Sequence, residues 1–153
     1  MPKFTQIASN NDLKEVIKSA FDTDLEVSGA WGYTQTLATI IEKTDFPILQ
    51  LEHTLASMRA YVEMNMTQEK EERYGSINLN EISREQIQEE GLIYDKVLYE
   101  ITSIKEDTYA LFINEYKEGY GTDGFNMNEH FKRRKEATLT RMETYWFEVS
   151  QII

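Results

Sequence analysis

Val97-Leu98-Tyr99-Glu100-Ile101-Thr102, and then the run from Leu139 to Val149, decide how this chain folds. In the first stretch Val97, Tyr99 and Ile101 alternate with Leu98, Glu100 and Thr102, the period of two that belongs to a strand with unlike sides. In the second, Leu139, Arg141, Glu143, Tyr145, Phe147 and Val149 alternate with Thr140, Met142, Thr144 and Trp146, which predicts a long strand with an aromatic end. Between them the rhythm changes. Tyr109, Phe112, Ile113 and Tyr116 fall at helical steps with Gly119 placed to stop the helix, and Asn126 with Glu129 has the spacing of a capping box for a short helix ending near Glu136.

Upstream, Ser9 to Asp12 also has capping-box spacing, and Leu13, Val16, Ile17, Ala20 and Phe21 then mark a first helix. From Leu25 to Glu42 the composition turns to Val, Thr, Trp, Tyr and Ile, with Gly29 and Gly32 bracketing Ala30-Trp31, which predicts two strands joined by a turn. Asp45 is placed to cap a second helix whose first turn holds Pro47 and whose apolar positions are Ile48, Leu51, Leu55, Met58 and Val62. Its end is expected to pass into a strand near Tyr61. The polar stretch 63–91 carries only isolated Ile77, Leu79, Ile82 and Ile87, and reads as a strand meander or a mobile excursion.

This irregular order of elements lacks the regular strand-helix alternation of a parallel sheet, so the expected class is α+β. The expected architecture is a single mainly antiparallel sheet packed against three or four helices, formed by residues 1–153 as one domain. The rival is a mostly helical bundle, which requires Leu92 to Lys117 to wind as helix.

The 153 residues carry 27 acidic and 16 basic side chains, a net charge of -11, so nonspecific binding to nucleic acid or to an anionic membrane is disfavoured over most of the surface. Zero cysteines exclude disulfides, thiolate metal sites and cysteine nucleophiles, and suit a reducing, cytoplasmic setting. The amino terminus has no apolar stretch of the kind a secretory signal needs, and no run of eighteen apolar residues exists to span a membrane.

Motifs for chemistry are scarce, and neither a catalytic residue nor a cofactor or metal ligand is assigned. The two histidines each follow a glutamate, as Glu52-His53 and Glu129-His130, and helical neighbours diverge by about 100 degrees, so neither pair converges on one ion. A site joining both histidines with Glu63 or Glu115 would depend on the fold. The Gly119-Tyr120-Gly121-Thr122-Asp123-Gly124 run lacks the Lys-Ser or Lys-Thr of a phosphate loop and the ligand spacing of a calcium loop, and reads as a helix-ending turn.

Two features stand out as candidate binding residues. Lys132, Arg133, Arg134 and Lys135 gather a quarter of the basic side chains in one helical turn, suited to a phosphate, an acidic partner or an acidic patch on another copy of the chain. The plainer reading is a solvated face in which Glu129 meets Arg133 and Lys132 meets Glu136. Aromatics form the second group: Trp31 and Tyr33 in the early hairpin, and Trp146, whose neighbours Tyr145 and Phe147 must face the opposite side. Either helices cover both sides, or Trp31 or Trp146 lies on an exposed apolar patch.

The preferred function is a non-catalytic protein-interaction or self-associating module, its partner being another protein or another copy of itself. The alternative is a small-molecule binder or modest enzyme with a pocket between sheet and helices, walled by Tyr33, Tyr99 or Trp146 with Glu52, His53 or Arg59 as polar contacts. A third reading, a mimic of nucleic-acid phosphates, needs a regular acidic stripe that residues 132–135 would interrupt.

Overall fold

The computed structural model describes residues 3–122 and 124–153. The chain forms α1 (Leu13–Phe21), β1 (Glu26–Gly29), β2 (Thr39–Lys43), α2 (Ile48–Tyr61), β3 (Tyr74–Glu89), β4 (Leu92–Lys105), α3 (Glu106–Gly119), α4 (Met127–Ala137) and β5 (Leu139–Glu148). The strands make one sheet in the order β1-β2-β5-β4-β3, antiparallel throughout except where β2 runs parallel to β5. The fold is therefore α+β, and Leu92 to Lys105, which a helical bundle would have needed as helix, is strand.

The alternation of the two decisive stretches is carried into the sheet as one register. Val97 stands opposite Tyr145 and Asp95 opposite Phe147, so Val97, Tyr99, Ile101, Tyr145 and Phe147 share one side with Val27 and Ile41. Leu13 and Ile17 of α1 and Leu51, Leu55, Ala56 and Met58 of α2 close over that side to form the core. Burying each such large side chain contributes about 1.5–3 kcal/mol, so this layer is the main source of stability.

Several local expectations are corrected. The Ser9–Asp12 box does not form, because the Asp12 carboxylate turns back to accept from the Asn10 amide and no side chain caps α1. Pro47, not Asp45, is the residue before α2, again without a side-chain cap. No strand follows Tyr61: the helix widens into a π-turn at Val62–Met66, closed by the Thr67 amide on the Val62 carbonyl at 3.2 Å.

The segment 63–91 resolves into that π-turn, a short 3₁₀ turn and the sixteen-residue edge strand β3, not a meander. β3 joins β4 through Glu90-Gly91, both at positive φ, a two-residue hairpin turn between paired Glu89 and Leu92. Gly32 is required for space as well as for its φ of 81°, since a Cβ there would lie 2.1 Å from the Tyr145 ring. Downstream, α3 ends at Gly119 as expected, and Asn126 caps α4 by accepting from the Glu129 amide at 3.0 Å. Asp123, in the intervening glycine-rich turn, lies outside the described residues.

Candidate functional site: the open sheet face and the helical hairpin beside it

The helices α1 and α2 cover one side of the sheet. The other side carries Tyr94, Lys96, Leu98, Glu100, Met142, Thr144 and Trp146 from the two central strands, none of them buried. The contrast within three consecutive residues is decisive: Tyr145 and Phe147 are fully buried, whereas Trp146 between them is half-buried. Its ring meets Tyr94 edge-on at 6.3 Å and lies under the Lys96 ammonium at 5.2 Å. Ile87, opposite Tyr94 on β3, and Ile40 on β2 extend this side, and a shallow cleft of about 330 Å³ runs by Ser83, Lys96, Leu98 and Thr144.

The helical hairpin α3–α4 leans on one end of this open side. Ile104 is 5% exposed yet stands outside the main core, and Tyr109 and Arg134 come down over it beside Asn78 and Thr102. The hairpin has a small aromatic centre of its own: His130 is fully buried among Phe112, Tyr116, Phe125 and Phe131, with ring centroids 5.3–5.8 Å away. Its Nδ1 lies 3.3 Å from Glu115, whose carboxylate the Arg133 guanidinium binds and holds below the usual carboxylate range.

The basic quartet therefore divides. Arg133 is committed to Glu115 across the hairpin, not to Glu129, and Lys132 makes no ion pair with Glu136. Arg134 stacks on Tyr109 at 5.6 Å and on Phe131 at 5.7 Å and has no carboxylate partner among the described residues. Lys132 and Lys135 are exposed.

The other aromatic candidates pack in or against the core. Trp31 is 1% exposed, and its carbonyl accepts from Arg59, which is itself clamped between the Tyr33 and Tyr145 rings at 4.4 and 4.5 Å. The Tyr33 hydroxyl donates to Glu63 at 2.5 Å while accepting from the Ile7 amide; burial, then the Glu63 carboxylate, push this phenol up. Glu63 also accepts from Arg141 at 3.0 Å. Glu63 is thus ion-paired, while Arg59 is satisfied by the Trp31 and Thr144 carbonyls and the two aromatic rings. Trp146 is on the far side of the sheet from this network.

A second buried cluster was only partly foreseen. Glu52, without solvent exposure, faces Asp95 and has Arg84 Nη1 3.0 Å from one oxygen, out of line for a hydrogen bond. Burial, then the Asp95 carboxyl beside it, push Glu52 up to about 8. A protonated Glu52 can donate to Asp95, which is how two adjacent acids share a buried space. The Tyr99 hydroxyl is buried nearby without a partner, and burial followed by Glu52 pushes it up. His53 instead sits on the surface, its Nε2 3.1 Å from the Leu79 carbonyl. Among the described residues no three His, Cys, Asp or Glu side chains converge as metal ligands, and no helix is long and apolar enough to cross a membrane.

Compared with protein-family models, with curated proteins and with solved structures, the chain gives no match.

Proposed function

We propose that the protein is a non-catalytic, self-associating module whose contact surface is the open side of the sheet, centred on Trp146. The observation that carries this reading is the half-buried Trp146, edge-on to Tyr94 and sharing with Leu98 and the 48% exposed Met142 a side that α1 and α2 leave bare. Aromatic side chains with a polar surround are the usual centre of a protein contact.

Charge selects a second copy as the occupant. The open side carries Lys96 opposite Glu85 on β3, and on β4 Lys96 and Glu100 stand on either side of Leu98. When two such faces meet about a twofold axis near Trp146 and Leu98, the lysine of each copy has a glutamate of the other within reach. Ten residue pairs along β4 and β5, with β3 beside them, give a footprint of roughly 500 Å² per copy at standard strand spacing and rise. That is at the low end for a specific contact, so the association is weak and concentration-dependent. The absence of cysteine supports a cytoplasmic setting for such an assembly.

Sedimentation velocity over a concentration series tests this. The wild-type chain is expected to shift from monomer to dimer between low micromolar and submillimolar concentration, and Trp146→Glu to stay monomeric while keeping its circular dichroism. Monomer at every concentration, or a dimer indifferent to Trp146→Glu, overturns the reading.

A further inference from the structure

We infer that the pocket at the root of the α3–α4 hairpin binds a small tetrahedral oxyanion of the phosphate class, with Arg134 as its cationic ligand. The pocket lies between β3, β4 and the hairpin, is lined by Ser76, Asn78, Thr102, Tyr109, Arg134 and Thr138 among others, and encloses about 120 Å³. That is well above the roughly 10–15 Å³ that a single water needs, and leaves room for a five-atom oxyanion.

Its lining has the chemistry of an anion site. Among the described residues the guanidinium of Arg134 is the one charged group that lines it, and no carboxylate does. The guanidinium lies near the Tyr109 and Phe131 rings, 5.6 and 5.7 Å from their centroids, and has no carboxylate partner among the described residues. A guanidinium fork without a carboxylate partner can offer two parallel donors to an oxyanion. The Thr102 hydroxyl adds a donor from the sheet floor. Asn78 spends one amide hydrogen on the Ser76 carbonyl at 3.2 Å and keeps the other.

The backbone is shaped at the same place. Ser76 adopts a φ of 49° within the irregularity between Gly75 and Asn78, which brings both side chains to the pocket rim. Ser103 also borders the cavity and has a buried hydroxyl without a partner, but strand alternation sends its side chain to the Ile101 side. The donors that count are therefore Arg134, Thr102, Asn78 and Ser76.

The nearby Glu106 carboxylate is turned away to Asn65 Nδ2 at 2.6 Å. The net charge of -11 opposes distant capture of an anion. Beyond about 8 Å that opposition is screened at physiological salt, so the contact is decided by the lining.

The test is a titration of the full chain with inorganic phosphate at constant ionic strength, with sodium chloride as control, read on the Arg134 Nε–H and Thr102 amide NMR signals. Saturable shifts at millimolar phosphate or below are expected, weakened at least tenfold in Arg134→Gln and in Thr102→Val. The second variant preserves the Tyr109 and Phe131 stack and keeps the test valid if Arg134→Gln unfolds the hairpin. Phenyl phosphate separates the sources: competition with phosphate at the same signals assigns a phosphomonoester terminus, and shifts with inorganic phosphate alone assign the free ion. No saturable shift above the chloride control, or equal binding in the wild type and Thr102→Val, overturns the inference.

Discussion

Replacing Glu52 by glutamine should make the protein less sensitive to alkali. Glu52 ionises at its ordinary value of 4.5 in the unfolded chain but is pushed up to about 8 in the fold by burial beside Asp95. Between those values the native state binds more protons than the unfolded state. Stability must therefore fall as pH rises through this window, by at most about 1.4 kcal/mol per pH unit, and level off above about pH 8. The whole window has an upper bound of about 5 kcal/mol, and relaxation of Arg84 and entry of water reduce it to a few. Glutamine keeps the shape, can donate to Asp95, and has no proton to lose; Arg84 retains Glu81 as a partner at 2.6 Å. Urea unfolding followed by circular dichroism at intervals between about pH 5 and pH 8.5 is the assay. The two proteins should lie within about 1 kcal/mol of each other at the acid end, with Glu52→Gln becoming the more stable by about 2 kcal/mol or more at the alkaline end. Parallel stability curves would refute the shared proton.

Other substitutions test separate parts of the structure. Arg59→Met leaves the Trp31 and Thr144 carbonyls without their donor and removes the cation between Tyr33 and Tyr145, and should cost about 2–4 kcal/mol in urea unfolding. Gly32→Ala drives a methyl into the Tyr145 ring and should cost more than about 3 kcal/mol, whereas Gly91→Ala, which meets open space at a φ of 81°, should cost only about 1–2 kcal/mol. Asn126→Ala removes the cap of α4 and should lower stability by about 1 kcal/mol, seen as faster amide exchange in the hairpin.

The strands and helices that set the fold were legible where one side chain rhythm ran long enough. Val97 to Thr102 and Leu139 to Val149 show period two; the first lies within β4 (Leu92–Lys105) and the second covers β5 (Leu139–Glu148). β3 was not legible because it is an edge strand lying largely in solvent: Glu81, Glu85, Gln86 and Glu89 stand where a central strand would carry apolar residues. Its tight turn, Glu90-Gly91, was the available signal.

Packing around α2 hid for a different reason. Glu52, Ala56, Arg59 and Glu63 recur at helical steps beside the apolar Leu51, Leu55 and Met58, and all of them are buried. A polar stripe at that spacing reads as a solvated face until the strands that pair it are in place. Likewise, the four consecutive basic residues could not reveal that Arg133 reaches back to Glu115 while Arg134 has no carboxylate partner among the described residues, since that division is made by the α3–α4 packing.

Hydroxyl-radical footprinting of the wild-type chain at two concentrations tests the central claim most directly, because mass spectrometry reads Trp31, Trp146 and Met142 separately. Trp31 should be unreactive throughout. Trp146 and Met142 should react in dilute solution and become protected at submillimolar concentration, while Leu111 and Tyr120 on the hairpin stay reactive. Protection of Trp146 that is complete at every dilution, or reactivity that never changes with concentration, would contradict a bare sheet side that closes against a second copy.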